Sequence, residues 1–274
     1  MPVAVNLHFI RTLRRAKHRA VMAWKFRRRS SGDSFQPVVI VAEARTGSTL
    51  LSDYLDCHPG VHVGGEVLNP FFASGLRRRM ISKRSTIRHI SHSLYYQGAP
   101  VSVVKLHLAH LAWHDVTLCD LEAAIPDLKF LVLYRSSLAE QFVSREIVKE
   151  TRAFADRSGQ AEQVRSLRID VSGFVEFAEK IRDDFARAIN AVSEKSQMCL
   201  VSYEELANDP AAVFDSKICP FLDIEPVVLT TSLRKQNRKS LRELVENFEE
   251  LEPYLDEYTL HLNWECTAPH VGVV

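Results

Sequence analysis

Residues 44–51 read ARTGSTLL, a glycine and three hydroxyl side chains following an arginine, at the end of an apolar run. Such a turn can hold phosphate. The glycine lets successive backbone N–H groups converge on oxygens, and a helix beginning there adds a favourable dipole. Thr46, Ser48 and Thr49 offer hydroxyl donors, and Arg45 offers a fixed positive charge. The triphosphate-binding pattern GxxxxGKS/T fits less well. Aligned on Gly47 and Thr49, its first glycine becomes Ala42 and its lysine becomes Ser48. Without a lysine for the β- and γ-phosphates, the loop suits a shorter 5'-phosphate end.

A second anion anchor is expected further along. The run KFLVLYR ends in Arg135, and Ser144 follows nine residues later. Ser137 and Glu140 form an S-x-x-E capping box, which starts a helix near residue 138 and puts Gln141, Ser144 and Arg145 in its early turns. A strand-end arginine and a serine one or two helical turns on can clamp a phosphate from two sides.

Two side chains are candidates for a general base. Glu66 follows Gly64 and Gly65 in HVGGEVLNP, where missing side chains allow a substrate to come close. His107 lies in VVKLHL on the same strand face as Lys105, because side chains repeat every two residues. His110 reads as a structural histidine. No His, Cys or acidic cluster has metal-ligand spacing, so no metal is expected. Five scattered cysteines (Cys57, Cys119, Cys199, Cys219, Cys266) contain no CxxC pair and read as small buried hydrophobes in a reducing compartment.

These residues need a frame that gathers strand ends. VVIVAEA (38–44), VSVVKLHL (101–108), KFLVLYR (129–135) and MCLVSYE (198–204) are continuous β-branched runs, as expected of strands buried on both faces. A further short strand precedes Glu66. Helical patterns separate them, among them FVEFAEKIRDDFARAINAV, with Phe174, Phe177, Ile181 and Phe185 on one face. Alternating strands and helices imply a three-layer α/β/α fold of P-loop type with a central parallel sheet.

The 274-residue chain is 46% hydrophobic and 25% charged with net charge +1, ordinary globular composition. The charge is uneven: residues 1–32 hold nine Lys or Arg and no acid, and the rest has 26 basic against 34 acidic residues. A basic N-terminal arm (residues 1–34) is therefore expected before a domain over 35–274. Residues 1–32 could rest on anionic lipid, pack on the domain or stay solvated. No apolar run reaches the roughly 20 residues of a membrane span, and no secretory signal is evident. A cytoplasmic protein, with peripheral membrane contact open, is the expectation.

The loop ARTGSTLL resembles the 5'-phosphosulfate loop of the sulfotransferase superfamily, especially that of bacterial carbohydrate sulfotransferases of the trehalose and nodulation-factor types. The strand-end Arg135 with helical Ser144 resembles the 3'-phosphate element. VSYEELANDPAAVFDSKICPFLDIE and LRKQNRKSLRELVENFEEL resemble later segments, the last closing over the nucleotide. The resemblance spans about residues 37–260 and is weak over 72–100, where acceptor specificity is expected. It implies the donor 3'-phosphoadenosine 5'-phosphosulfate (PAPS), giving the product adenosine 3',5'-bisphosphate (PAP), without a metal. It implies that Arg45, Thr46, Gly47, Ser48, Thr49 and Leu50 hold the 5' end. Arg135 and Ser144 would hold the 3'-phosphate, with Lys235, or equally Arg234, Arg238 or Lys239, close by. Glu66 resembles the base of bacterial and heparan-type enzymes. Lys105 and His107 resemble a K-T-H strand in which the histidine is the base, although Leu106 replaces the threonine. The implied acceptor is a carbohydrate or glycolipid, with no nucleic-acid partner. The basic stretch LRRRMISKRSTIRH (76–89) could meet an anionic glycan or be a solvated helix face. Two rivals stay open: a P-loop nucleotide kinase, and a non-catalytic nucleotide-binding module.

Overall fold

Five runs of β-branched and aliphatic residues pair into one parallel sheet. β1 (Gln36–Ala42), β2 (Val61–Glu66), β3 (Val101–His107), β4 (Lys129–Tyr134) and β5 (Gln197–Ser202) lie in the order β2-β3-β1-β4-β5. This computed structural model describes residues 35–69, 82–95, 99–151, 166–192, 197–233 and 239–262. The basic arm, Arg77, Arg78, Arg79, Arg234, Lys235, Arg238 and Cys266 lie outside the described residues.

β1 is central and shows why its sequence is continuously apolar. Val39 and Val41 face one helical layer while Val38, Ile40 and Ala42 face the other. On the first face pack α2 (Lys83–Leu94), α3 (Leu108–Trp113), α4 (Leu118–Ala124), α5 (Leu138–Thr151) and α6 (Val171–Asn190), and on the second pack α1 (Ser48–Leu55), α7 (Tyr203–Asn208) and the helical run ending at Leu222. The expected three-layer α/β/α arrangement is therefore present. In α6 the expected stripe is the buried one: Phe174, Phe177, Ile181 and Phe185 all face the core. Phe142 of α5 meets the rings of Phe174 and Phe177 at 5.7 and 5.3 Å.

The strand order also locates the site. α1 leaves β1 toward one face of the sheet, and α5 leaves the neighbouring β4 toward the other. Their carboxyl ends mark the place where α/β folds bind ligands. Arg45, Glu66, His107 and Arg135 lie at or just beyond the carboxyl ends of β1, β2, β3 and β4.

Two expectations need correction. Among the described cysteines, Cys219 alone is buried; Cys119 is exposed, and Cys57 and Cys199 are half-buried, all four as free thiols. The Ser137–Glu140 capping box is half made. Glu140 N donates to Ser137 Oγ at 3.2 Å, but the Glu140 carboxylate turns to Arg135, and Ser137 N donates to Glu204 instead. An arginine in reach outcompetes a backbone amide for the carboxylate. Among the described residues, no helix is long and apolar enough to cross a membrane.

Phe174 has no exposed surface and sits where α5 and α6 meet. Phe174→Ala should cost about 3–5 kcal/mol, the usual loss for a buried aromatic. Denaturant unfolding at equilibrium measures it; a loss under about 1 kcal/mol would mean that the stripe is not part of the core.

Candidate active site

The loop between β1 and α1 is shaped by two left-handed residues, Arg45 at φ +69° and Gly47 at φ +83°. Glycine accepts this conformation without penalty, whereas at Arg45 it carries strain. Gly47 also has no room for a side chain, since a Cβ there would run into the Tyr203 ring. Gly47 caps α1 with no side-chain hydrogen bond, so the first amides of that helix are not closed by a capping side chain.

Each loop side chain has a distinct environment. Thr46 is fully buried and donates its hydroxyl to Glu43 O at 2.8 Å, so it braces the loop instead of offering that proton to a ligand. Ser48 is buried, Leu50 half-buried and Thr49 exposed. Gln141 of α5, fully buried, donates to Ala44 O at 2.8 Å and ties the loop to the opposite layer.

The two expected anion anchors meet. Arg45 Nε donates to Ser144 Oγ at 3.0 Å, and Arg135 Nη1 lies 3.5 Å from Arg45 O. Arg135 is buried, stacks 4.6 Å over the Tyr203 ring and is paired with Glu140, with Glu204 at 3.9 Å. Glu204 also accepts from Ser136 N and Ser137 N, fixing the turn after β4. Burial and then the positive charge of Arg135 press the Arg45 pKa below its usual value. Two guanidinium groups held this close favour a bound anion.

On the other side of β1 the acid–base candidates also converge. The β2–β3 register shifts between Val63 and Glu66, with Gly65 at φ +78°, and this bulge brings Glu66 opposite Lys105. Gly64 is needed as well, because a Cβ there would crowd Val104 and Val103 O. Glu66 Oε2 lies 3.6 Å from Lys105 Nζ; Oε1 lies 3.3 Å from His107 Nδ1 and 3.6 Å from His110 Nδ1 and accepts from Asn69 at 3.1 Å. Burial depresses the Lys105 pKa and pushes His107 down to about 4, despite the opposing pull of Glu66 on each. His110, a structural residue on the sequence reading, stacks on His107 with ring centroids 5.1 Å apart. The His107–His110 spacing of three residues, with a helix starting at Leu108, was the signal for it.

With this geometry in view, residues 37–227 match the Sulfotransferase family. The chain belongs to the sulfotransferase family. Two Nodulation protein H sequences of Rhizobium meliloti, one from strain 1021, are 26% and 25% identical over 231 and 230 residues, covering 79% of this chain and 90% of theirs. Among solved structures, a sulfotransferase from Alicyclobacillus acidocaldarius is 17% identical with TM-score 0.44, covering 82% of this chain and 95% of that one. One from Mycobacterium tuberculosis H37Rv is 14% identical with TM-score 0.46, covering 78% and 73%.

Sequence reasoning passed over Glu43 of this sulfotransferase. Its carboxylate, buried just after the central strand, accepts from Ala109 N at 2.9 Å and Ala44 N at 3.3 Å, joining the β1–α1 loop to α3. An acid directly after an apolar strand was the available signal. Burial outweighs those amides and pushes its pKa from 4.5 up to about 7. A raised acid is fully stabilising below its unfolded value and loses this as pH rises through the folded one. Relative to Glu43→Gln, the wild type should therefore lose about 3 kcal/mol of stability between about pH 4.5 and 7. Unfolding curves of both proteins at pH 5 and 8 check this; a difference independent of pH contradicts it.

Proposed function

We propose that this sulfotransferase takes its sulfuryl group from PAPS and passes it to a hydroxyl of a carbohydrate or glycolipid, with Glu66 as general base. The observation that carries the donor assignment is the junction of the two anchors, Arg45 against Ser144 and Arg135 against Arg45 O. One ribose bearing phosphates at 3' and 5' presents two anionic groups to one small region, which suits such a junction. On this reading Ser144 and Arg135 take the 3'-phosphate, and Arg45, Gly47, Ser48 and Thr49 take the 5' end. Leu50 and the braced Thr46 keep the loop in shape. Lys235 near the 3'-phosphate remains a proposal from resemblance.

In the proposed step, the acceptor oxygen attacks sulfur in line as the sulfur–oxygen bond to the 5'-phosphate breaks. The acceptor proton passes to the Glu66 carboxylate, and the electron pair leaves with the phosphate of PAP. Arg45 stabilises that phosphate electrostatically, since a guanidinium stays protonated. Lys105, opposite Glu66 in register, supplies positive charge on the sulfonate side. Glu66 is taken as the base over His107 on the resemblance of its GGE stretch to the bacterial and heparan-type base. Burial pushes the His107 pKa down to about 4, so that ring is neutral at pH 7.

The carbohydrate acceptor follows from the resemblance of ARTGSTLL to bacterial carbohydrate-type loops, with Nodulation protein H among the relatives. Of the basic stretch beside Glu66, Lys83 is paired with Asp120 at 2.7 Å, and Arg84 and Arg88 are exposed on α2. A basic N-terminal arm resting on lipid is part of the same proposal.

Arg45→Ala and Arg135→Ala should each weaken PAP binding by about 1.5–3 kcal/mol, as for a lost charged hydrogen bond. Calorimetric titration measures this, and unchanged affinity in both would remove the donor site. PAP should raise the melting temperature far more than ATP with Mg²⁺; the reverse order would favour the kinase rival. Glu66→Gln should keep PAP affinity and lower turnover at least ~100-fold. If His107→Ala does this instead, the histidine is the base. PAP binding without transfer to any supplied glycan or glycolipid favours the non-catalytic module.

A further inference from the structure

Glu66, His107 and His110 present one ligand atom each, all within 4.8 Å of one another. Two of the spacings are more telling: 3.3 Å from Glu66 Oε1 to His107 Nδ1 and 3.6 Å from the same oxygen to His110 Nδ1. A tetrahedral zinc with bonds of about 2.0–2.1 Å has ligand atoms about 3.3–3.4 Å apart. The carboxylate is thus placed from both imidazoles at close to the spacing that a tetrahedral ion would impose.

One ligand atom is also short of a partner. His110 Nδ1 is buried and makes no hydrogen bond within the protein. A buried nitrogen in this state carries a desolvation cost that a ligand would remove. The two carboxylate oxygens are divided: Oε2 faces Lys105, and Oε1 faces both imidazoles with one lone pair taken by Asn69. That arrangement leaves Oε1 able to coordinate while Lys105 and Asn69 hold the carboxylate from outside, as outer partners do in metal sites. Trp113 packs against the His110 ring at 4.7 Å.

We propose that Glu66, His107 and His110 form a tetrahedral site for zinc or a similar divalent transition ion, with the fourth position open to water or substrate. The donor set of two imidazoles and one carboxylate suits zinc and cobalt over magnesium, which demands six oxygen-rich ligands. Sulfuryl transfer has no need of the ion. Bound there, it occupies the carboxylate that takes the acceptor proton, so zinc is a reversible inhibitor that ties sulfation to free zinc. The binding half of this stands on geometry alone; the inhibitory half rests on Glu66 being the base.

The experiment starts from full-length protein stripped with a chelator and titrated with Co²⁺. The expected result is one equivalent bound with the strong visible d–d absorption of a tetrahedral ion, displaced by Zn²⁺. His110→Ala and, as a second variant in case that one misfolds, His107→Gln should weaken binding more than ~100-fold, beyond the effect of losing an outer partner. Thermal melts verify that each variant is folded. No tetrahedral spectrum in the wild type, or the same spectrum in both folded variants, overturns the site. Transfer is then assayed with added Zn²⁺ and again after chelator. Inhibition that the chelator reverses in wild type, and that is lost in His110→Ala relative to its own metal-free rate, supports the regulatory half. A normal cobalt spectrum with zinc-insensitive transfer would overturn that half, while PAP titration tests donor binding separately.

Discussion

Between the last residue of β1 and the first of α1, the backbone enters the left-handed region twice, at Arg45 and at Gly47. The turn is what points the start of α1 and the Arg45 side chain at the same space. It persists because three groups outside the loop and one at its start grip it. The Tyr203 ring lies where a Gly47 side chain would be, Thr46 is sewn to Glu43, Gln141 holds Ala44 O, and Ser144 holds Arg45. Strain of this kind survives only where the surroundings over-determine it. Here those surroundings come from α5, α7 and the residue that follows β1, so this loop is a joint product of both helical layers.

The same scaffold keeps like charges together. Arg135 lies over Tyr203 and among Glu140 and Glu204, which fix its fork and soften its repulsion with Arg45. Glu204 has a further duty at the amides of Ser136 and Ser137. Guanidinium groups held this way are preorganised, because the partners that orient them are already in place.

Much of this could be read from residue order. Continuous β-branched runs identified the strands because parallel sheets bury both faces, and the 174–185 phenylalanine spacing identified the face of α6. Arg45, Arg135 and Ser144 were readable because strand ends and helix starts converge in an α/β fold. What escaped was anything decided by contacts across elements. The capping box of α5 lost its second arm to an arginine that arrives from another element. Thr46 has the composition of a phosphate donor, yet its neighbour's carbonyl claims the hydroxyl. His110 gains its meaning from Glu66, 44 positions earlier, and only a bulge at Gly65 brings the two together. Glu43 looked like one more charge at a strand end, and its burial depends on α3 folding over it.

Glu66 sits on β2, the outermost strand on its side of the sheet, whereas Arg45 and Arg135 follow the adjacent inner strands β1 and β4. An inner strand is clamped by neighbours on both flanks; a rim strand has one. Evolutionary drift at the rim therefore disturbs fewer pairings than drift at the centre. Such a layout lets β2 and the Glu66 end of the site vary at less cost to the sheet than the inner strands that lead into Arg45 and Arg135.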